Sequence, residues 1–218
     1  IERPAYEQAL ADAKQAVVGD DKLGDEEKVD KMAEGVLPAA RRLQQRVNVT
    51  SDEAALEALL PQFAFLPDEA RTFLLTGEYN IRTLPDHLDF STSVVSYAKA
   101  VEQTLGERLF ERFRTESGAT DADCANKFLQ AFMRNEKHLT LGSMSIILQS
   151  SKEVALRSFA GRSFAHAESS IFGDDGVAGL LNDEASLALR NRAAHDEVLS
   201  REDAQTARAW ALAILARV

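Results

Sequence analysis

Helical periodicity is the feature of this sequence that most constrains its fold. Apolar residues recur every three or four positions along most of the chain, whereas the alternating β-branched pattern of half-buried strands is scarce. Between Ser93 and Arg114 one apolar stripe recurs at helical spacing: Val94, Tyr97, Val101, Leu105, Leu109 and Phe113. The sequence therefore predicts an all-α fold.

Mixed polarity and a proline at position 85 interrupt this pattern between residues 81 and 90. We place the boundary between two parts of the chain there. The first part, residues 1–87, is predicted to be a helical region of unknown role. The second part, residues 88–218, is predicted to be a helical bundle.

Two helices are expected to open the N-terminal region. The first covers residues 4–18, with a proline in its first turn, where the missing N–H costs nothing. The second covers Asp25 to Val47, and Pro38 is expected to kink or split it near Leu37.

Composition and charge narrow the classes of function. The single cysteine, Cys124, excludes a disulfide within this chain and disfavours a structural zinc site, which fits a reducing compartment. The sequence has no apolar run long enough for a membrane span and no signal-like segment, so we expect a cytoplasmic piece of a longer protein. A net charge of −10 repels nucleic acid on average, so any RNA contact requires a local basic patch.

Motifs for metals, nucleotides and cofactors are missing from the sequence. It contains no phosphate-cradling glycine loop, no GxGxxG and no HExxH. No pair among the four histidines stands at metal-ligand spacing: His87, His138, His166 and His195. We therefore predict neither a metal site nor a cofactor.

A polar group near the C-terminus stands out within "LALRNRAAHD". Asn191 and His195 are four residues apart and share one helix face, whereas Arg190 lies roughly 140° around an ideal helix from His195. One straight helix would therefore not bring all three side chains together. Either the helix ends or kinks inside the motif, or arginine and histidine act across two copies of the chain.

The residue types of this group suit RNA cleavage without a metal. Histidine takes or gives a proton near neutral pH, and arginine offers a planar fork that matches phosphate oxygens. A base that activates the ribose 2′-hydroxyl and a fixed cation at the phosphorus would yield a 2′,3′-cyclic phosphate and a 5′-hydroxyl. The structural alternative is that the histidine merely packs or hydrogen-bonds a carbonyl, as we expect for the similar pair in "RSFAH" at residues 162–166.

The stretch "RNRAAH" resembles the hallmark of the HEPN superfamily, an Arg-x4–6-His motif often with a polar residue directly after the arginine. Three further stretches are similar to HEPN-like helices: "SYAKAVEQTLGERLFERFR" to the first long helix, "LTLGSMSIIL" to the middle segment and "LSREDA" to the start of the last helix. The resemblance covers residues 88–218 and does not reach the N-terminal region.

The resemblance implies a specific activity. HEPN ribonucleases are two-fold dimers in which both motifs line a cleft and cut RNA without a metal ion. Carried over to this chain, Arg190, Asn191 and His195 would be catalytic, in a homodimer of a prokaryotic defence or toxin system. Nearby cations that could contact RNA are Arg192, Arg201 and Arg162.

Other functions remain open at this point. Many HEPN domains are inactive, so a non-catalytic dimerisation or signal-relay module of a larger protein is the main alternative, and a ligand-sensing or nucleotide-transferring domain is a third. The acidic segment at residues 19–34 is most simply solvated surface. A sharper hypothesis is that it shields a nuclease site or binds a partner protein.

Overall fold

The computed structural model describes residues 8, 11–12, 14–15, 24–46, 50–195 and 197–218. Within these residues all regular structure is helical and no strand occurs, which confirms the all-α prediction. The α-helices are α1 Asp25–Arg46, α2 Thr50–Leu59, α3 Asp68–Thr83, α4 Ser91–Leu105, α5 Arg112–Glu116, α6 Lys127–Met133, α7 Leu141–Gln149, α8 Val154–Ser163, α9 Ala167–Ser170, α10 Val177–Leu181, α11 Glu184–Ala193 and α12 Arg201–Leu215. No helix in the described part of the chain combines the length and the apolarity that crossing a membrane requires.

The chain forms two compact units that interleave along the sequence. Unit 1 comprises Ile1–Ala100 and Ala185–Leu212, and unit 2 comprises Val101–Glu184 and Ala213–Val218. The motif helix α11 therefore groups with the N-terminal hundred residues. The division into domains at residues 87 and 88 stays a prediction.

Unit 1 is built on the packing of α1 against α3. The ring of Tyr97 lies against Gly77 in α3. It approaches so closely that only glycine fits, since a Cβ at position 77 would lie 2.6 Å from Cζ of Tyr97. The buried Tyr97 hydroxyl donates to Glu78 over 2.9 Å, and Arg208 donates to the same carboxylate over 2.6 Å. Burial first, and then the charge of Glu78, raise the pKa of Tyr97 well above its usual value, so the phenol remains a donor.

Unit 2 is centred on aromatic side chains. The rings of Phe113 and Phe159 meet edge to face at 5.7 Å between centroids, a favoured aromatic geometry. Glu153 is almost completely buried and accepts hydrogen bonds from the backbone N–H groups of Ala125 and Asn126, which fixes the start of α6. These contacts place the carboxyl group of Glu153 inside unit 2, and each of its two oxygens accepts a hydrogen bond.

The apolar stripe predicted between Val94 and Phe113 is confirmed, because none of its six residues is more than 2% exposed. Its last members recur every four residues, a step that drifts by about 40° per repeat on a regular α-helix. The structure removes this drift with a π-helical turn at Gly106–Glu111 between α4 and α5. Because π bonds span five residues, each turn holds more residues and the stripe stays on one face.

Helix boundaries differ from the sequence prediction in places. Of the kink or split predicted near Leu37, the split is wrong, because α1 continues through Pro38 to Arg46, and the kink stays a prediction. The chain reaches the motif through two helices, α10 and α11, which are separated at Asn182 and Asp183. Most of the helix predicted at residues 4–18 lies outside the described residues.

Candidate functional site around Arg190

The helix that carries the motif ends inside it. Helix α11 stops at Ala193, and the next two backbone N–H groups bond three residues back, from Ala194 to the Asn191 carbonyl at 3.0 Å and from His195 to the Arg192 carbonyl at 3.1 Å. This tighter turn means that the 140° separation of an ideal helix does not apply to His195. Of the two alternatives left by the sequence, the structure shows a helix that ends within the motif.

Arg190 is a buried cation. Its side chain is 8% exposed, and Nη2 donates to Oε1 of Glu26 over 2.5 Å. The Oδ1 atom of Asn191 lies 3.5 Å from the same nitrogen, so the structure brings these two predicted site residues together. Glu26 is 32% exposed, so the ion pair borders solvent on its acidic side.

Two other nitrogens of the Arg190 guanidinium, Nε and Nη1, are buried and have no hydrogen-bond partner within the described part of the chain. A buried donor without an acceptor costs about 1–3 kcal/mol, and more when the donor is charged. Most buried donors in proteins are satisfied, so such a pair on one side chain calls for a physical explanation. The arrangement leaves Arg190 with capacity to bind an acceptor that has several oxygens.

His195 is half-buried, two residues beyond the end of α11, and follows two buried alanines. Asn191 is also half-buried. The catalytic assignment of Arg190, Asn191 and His195 stays a prediction. The structure adds a partner that sequence reasoning did not name, Glu26, from the acidic segment for which solvated surface and shielding of a nuclease site were the two hypotheses.

A carboxylate at Asp89 anchors the segment that follows the motif. Asp89 accepts hydrogen bonds from the backbone N–H groups of Ser91 and Leu199, both at 3.0 Å, and forms an ion pair with Lys14. Burial by itself raises the pKa of Asp89, but the hydrogen bonds from Lys14, Ser91 and Leu199 outweigh it and hold this pKa below its ordinary value. The apolar stripe predicted a helix from Ser93, four residues after Asp89, so the sequence did not mark Asp89 as a cap, whereas the helix begins at Ser91.

Flanking cations of the motif are tied to neighbouring acidic groups. Arg192 donates to Glu197 over 2.6 Å and to Asp203 over 3.4 Å, and the Glu197 bond is the main reason that the pKa of Arg192 is raised. Arg201 forms an ion pair with Asp86 and lies over the ring of Phe90. It also donates to the backbone carbonyl of Ile81 in the last turn of α3 and to that of Leu84, directly after this helix. Their use as RNA contacts stays a prediction, and it requires these intramolecular bonds to open.

Arg162 belongs to unit 2, whereas the motif belongs to unit 1. Its Nη1 atom donates to Ser158 over 3.4 Å on an exposed face of α8. Arg157 on the same helix pairs with Glu168 over 2.9 Å and lies over the ring of Phe172. An RNA-contacting role for Arg162 stays a prediction.

No group of three or more His, Cys, Asp or Glu side chains that could hold a metal ion occurs among the described residues. Comparisons with known proteins add no assignment: no family model, no curated protein and no solved structure matches this chain.

Proposed function

We propose that this protein is a HEPN-type endoribonuclease of a prokaryotic defence or toxin system that cuts RNA without a metal ion. The observation that carries the proposal is the Arg190 guanidinium, which is buried, lies beside Asn191 and has two nitrogens without an acceptor among the described residues. A phosphate group supplies the oxygens that such a fork lacks. His195 follows in the turn that ends the same helix.

In the proposed reaction His195 removes the proton from a ribose 2′-hydroxyl. The 2′-oxygen then forms a bond to phosphorus, the bond from phosphorus to the 5′-oxygen breaks, and the leaving oxygen takes a proton. Arg190 stabilises the negative charge that builds on the phosphoryl oxygens, and Asn191 orients the guanidinium or a phosphate oxygen. A second copy of the chain would provide the second imidazole, which makes the site composite in a homodimer.

The test is RNA cleavage in EDTA, with single-stranded and structured substrates. We expect His195→Ala to abolish the formation of 2′,3′-cyclic phosphate ends. His138→Ala is the matched control, because His138 is exposed in unit 2 and should leave the rate unchanged. Equal cleavage by wild type and His195→Ala, or none by the intact full-length protein under activating conditions, refutes the proposal.

A second candidate is a non-catalytic dimerisation or signal-relay module of a larger protein. The ion pair between Arg190 and Glu26 favours it, because a buried arginine that joins two distant helices also has a purely structural use. This candidate predicts a stable dimer by light scattering, no binding in an RNA titration at low salt, and unchanged signalling once Arg190 and Glu26 are both replaced by apolar residues.

A further inference from the structure

We propose that Glu26 is an intramolecular occupant of the phosphate site at Arg190, and that RNA must displace its carboxylate to bind. The choice of RNA as the ligand rests on the proposed function. The competition itself rests on the contacts of Arg190, and applies to any phosphate-bearing ligand.

The ion pair is incomplete in its geometry. A carboxylate that serves as the permanent partner of arginine commonly accepts two parallel N–H bonds. Here Glu26 reaches only Nη2, while Nε and Nη1 are buried without partners in the described structure. A phosphate carries more oxygens than a carboxylate, so on replacing Glu26 at Nη2 it has an acceptor left for a second nitrogen of the guanidinium.

The Glu26 side chain can leave without its helix moving. Glu26 is 32% exposed and lies in the first turn of α1. The helix is held independently by Val29 and Met32, which are buried, and by an ion pair of 2.8 Å between Asp30 and Lys99. Rotation about the side-chain bonds of Glu26 therefore frees Nη2 of Arg190 without a shift of α1.

Charge gives this contact its regulatory effect. With Glu26 in place, the Arg190 site presents a neutral pair to an approaching phosphate on a chain whose net charge is −10. Any event that withdraws Glu26 converts the pair into a cation without a carboxylate partner, which attracts an anion. The resting protein is thus held in a weakly binding state by its own N-terminal region.

The decisive variant is Glu26→Gln, which keeps the shape of the side chain and removes its charge. Glu34→Gln is the matched control, because it makes the same change of charge at an exposed position of the same helix. The binding probe is a fluorescent oligonucleotide with 2′-deoxyribose at every position. It carries the same phosphates as RNA but cannot be cut by 2′-hydroxyl attack. A second probe is inorganic phosphate, followed through its effect on Tm.

We expect Glu26→Gln to bind the deoxy probe about 5- to 150-fold more tightly than wild type, the ordinary range for coupling between linked binding events. Phosphate should raise the Tm of Glu26→Gln and leave that of wild type and Glu34→Gln unchanged. The gain should vanish in the double variant Glu26→Gln with Arg190→Gln. Glu26→Asp, whose shorter side chain keeps the charge but withdraws it from Nη2, serves if Glu26→Gln does not fold.

The outcomes separate this inference from the proposed function. Tighter binding without cleavage by any variant supports the competition and refutes the nuclease. Cleavage that depends on His195, with equal affinity and equal rate in wild type and Glu26→Gln, supports the nuclease and overturns the competition. An equal gain in Glu26→Gln and Glu34→Gln also overturns it, since general electrostatics would then account for the effect.

Discussion

Replacing Gly77 by alanine tests the packing that supports the site-bearing unit. Gly77 lies in the interior of α3, where an alanine would ordinarily stabilise the helix by about 1 kcal/mol. Here the added Cβ would lie 2.6 Å from Cζ and 2.8 Å from Cε1 of Tyr97. These distances are well below the 3.4 Å at which ordinary contact begins, so the ring or the helix must move.

The ring has little freedom to retreat, because Tyr97 is fully buried and its hydroxyl is held by Glu78. Overpacking of this kind costs about 1–3 kcal/mol, and loss of a hydrogen bond to a charged group costs about 1.5–3 kcal/mol. After the gain in helix propensity, we expect the free energy of unfolding to fall by about 1.5–5 kcal/mol. This corresponds to about 2–4 °C of Tm for each kcal/mol.

The assay is urea unfolding followed by circular dichroism, with Gly161→Ala measured beside it. Gly161 is also helical, but a Cβ there meets no atom within 4 Å, so this control should gain about 1 kcal/mol. If Gly77→Ala is as stable as Gly161→Ala, the close approach of the Tyr97 ring does not restrict position 77 and the argument fails.

Two further predictions concern the contacts around the motif. Asp89→Asn should lower stability at pH 7 by about 1–2 kcal/mol, because the carboxylate caps a helix and binds Lys14 and the Leu199 N–H. Since the folded pKa of Asp89 is lowered, the contribution of its carboxylate to stability is complete above the unfolded pKa near 3.9 and is lost as the pH falls through the folded pKa. The stabilities of wild type and variant should therefore converge below the folded pKa. A constant difference from pH 7 to pH 2 would contradict this. Arg201→Lys should lower the free energy of unfolding in urea by about 1–3 kcal/mol, because lysine cannot reproduce a guanidinium fork that serves two carbonyls and a carboxylate. The control is Arg112→Lys, in an exposed pair on one helix, which should change stability by less than about 0.5 kcal/mol.

Local features of the fold followed from the sequence because their partners are close along the chain. The apolar stripe needs only helical spacing, and its burial is confirmed from Val94 to Phe113. The start of α12 is equally local, because Ser200 and Asp203 each accept a hydrogen bond from the other's backbone N–H. Pro38 was expected to kink or split its helix, and the helix is not split there, since the packing of a helix can outweigh the loss of one backbone hydrogen bond.

Distant contacts of the candidate site could not be predicted in this way. Arg190, Asn191 and His195 were identified from their residue types and spacing, but Glu26 is 164 positions from Arg190 and no local pattern connects them. The same holds for Asp89 and Leu199, which are 110 positions apart. In each case the acid occupied a segment with an ordinary local explanation, as solvated surface or as part of a boundary.

The sequence by itself determined that this chain is helical, which faces of the long helix are buried, and which polar residues near the C-terminus are suited to chemistry. Those properties depend on backbone geometry and on the order of neighbouring residues. Only the tertiary structure decided that the motif helix ends at Ala193 and that its arginine is buried against Glu26, with two nitrogens that have no acceptor among the described residues. The physical reason is that the state of an ionisable side chain depends on what packs against it, and packing is settled by the chain as a whole.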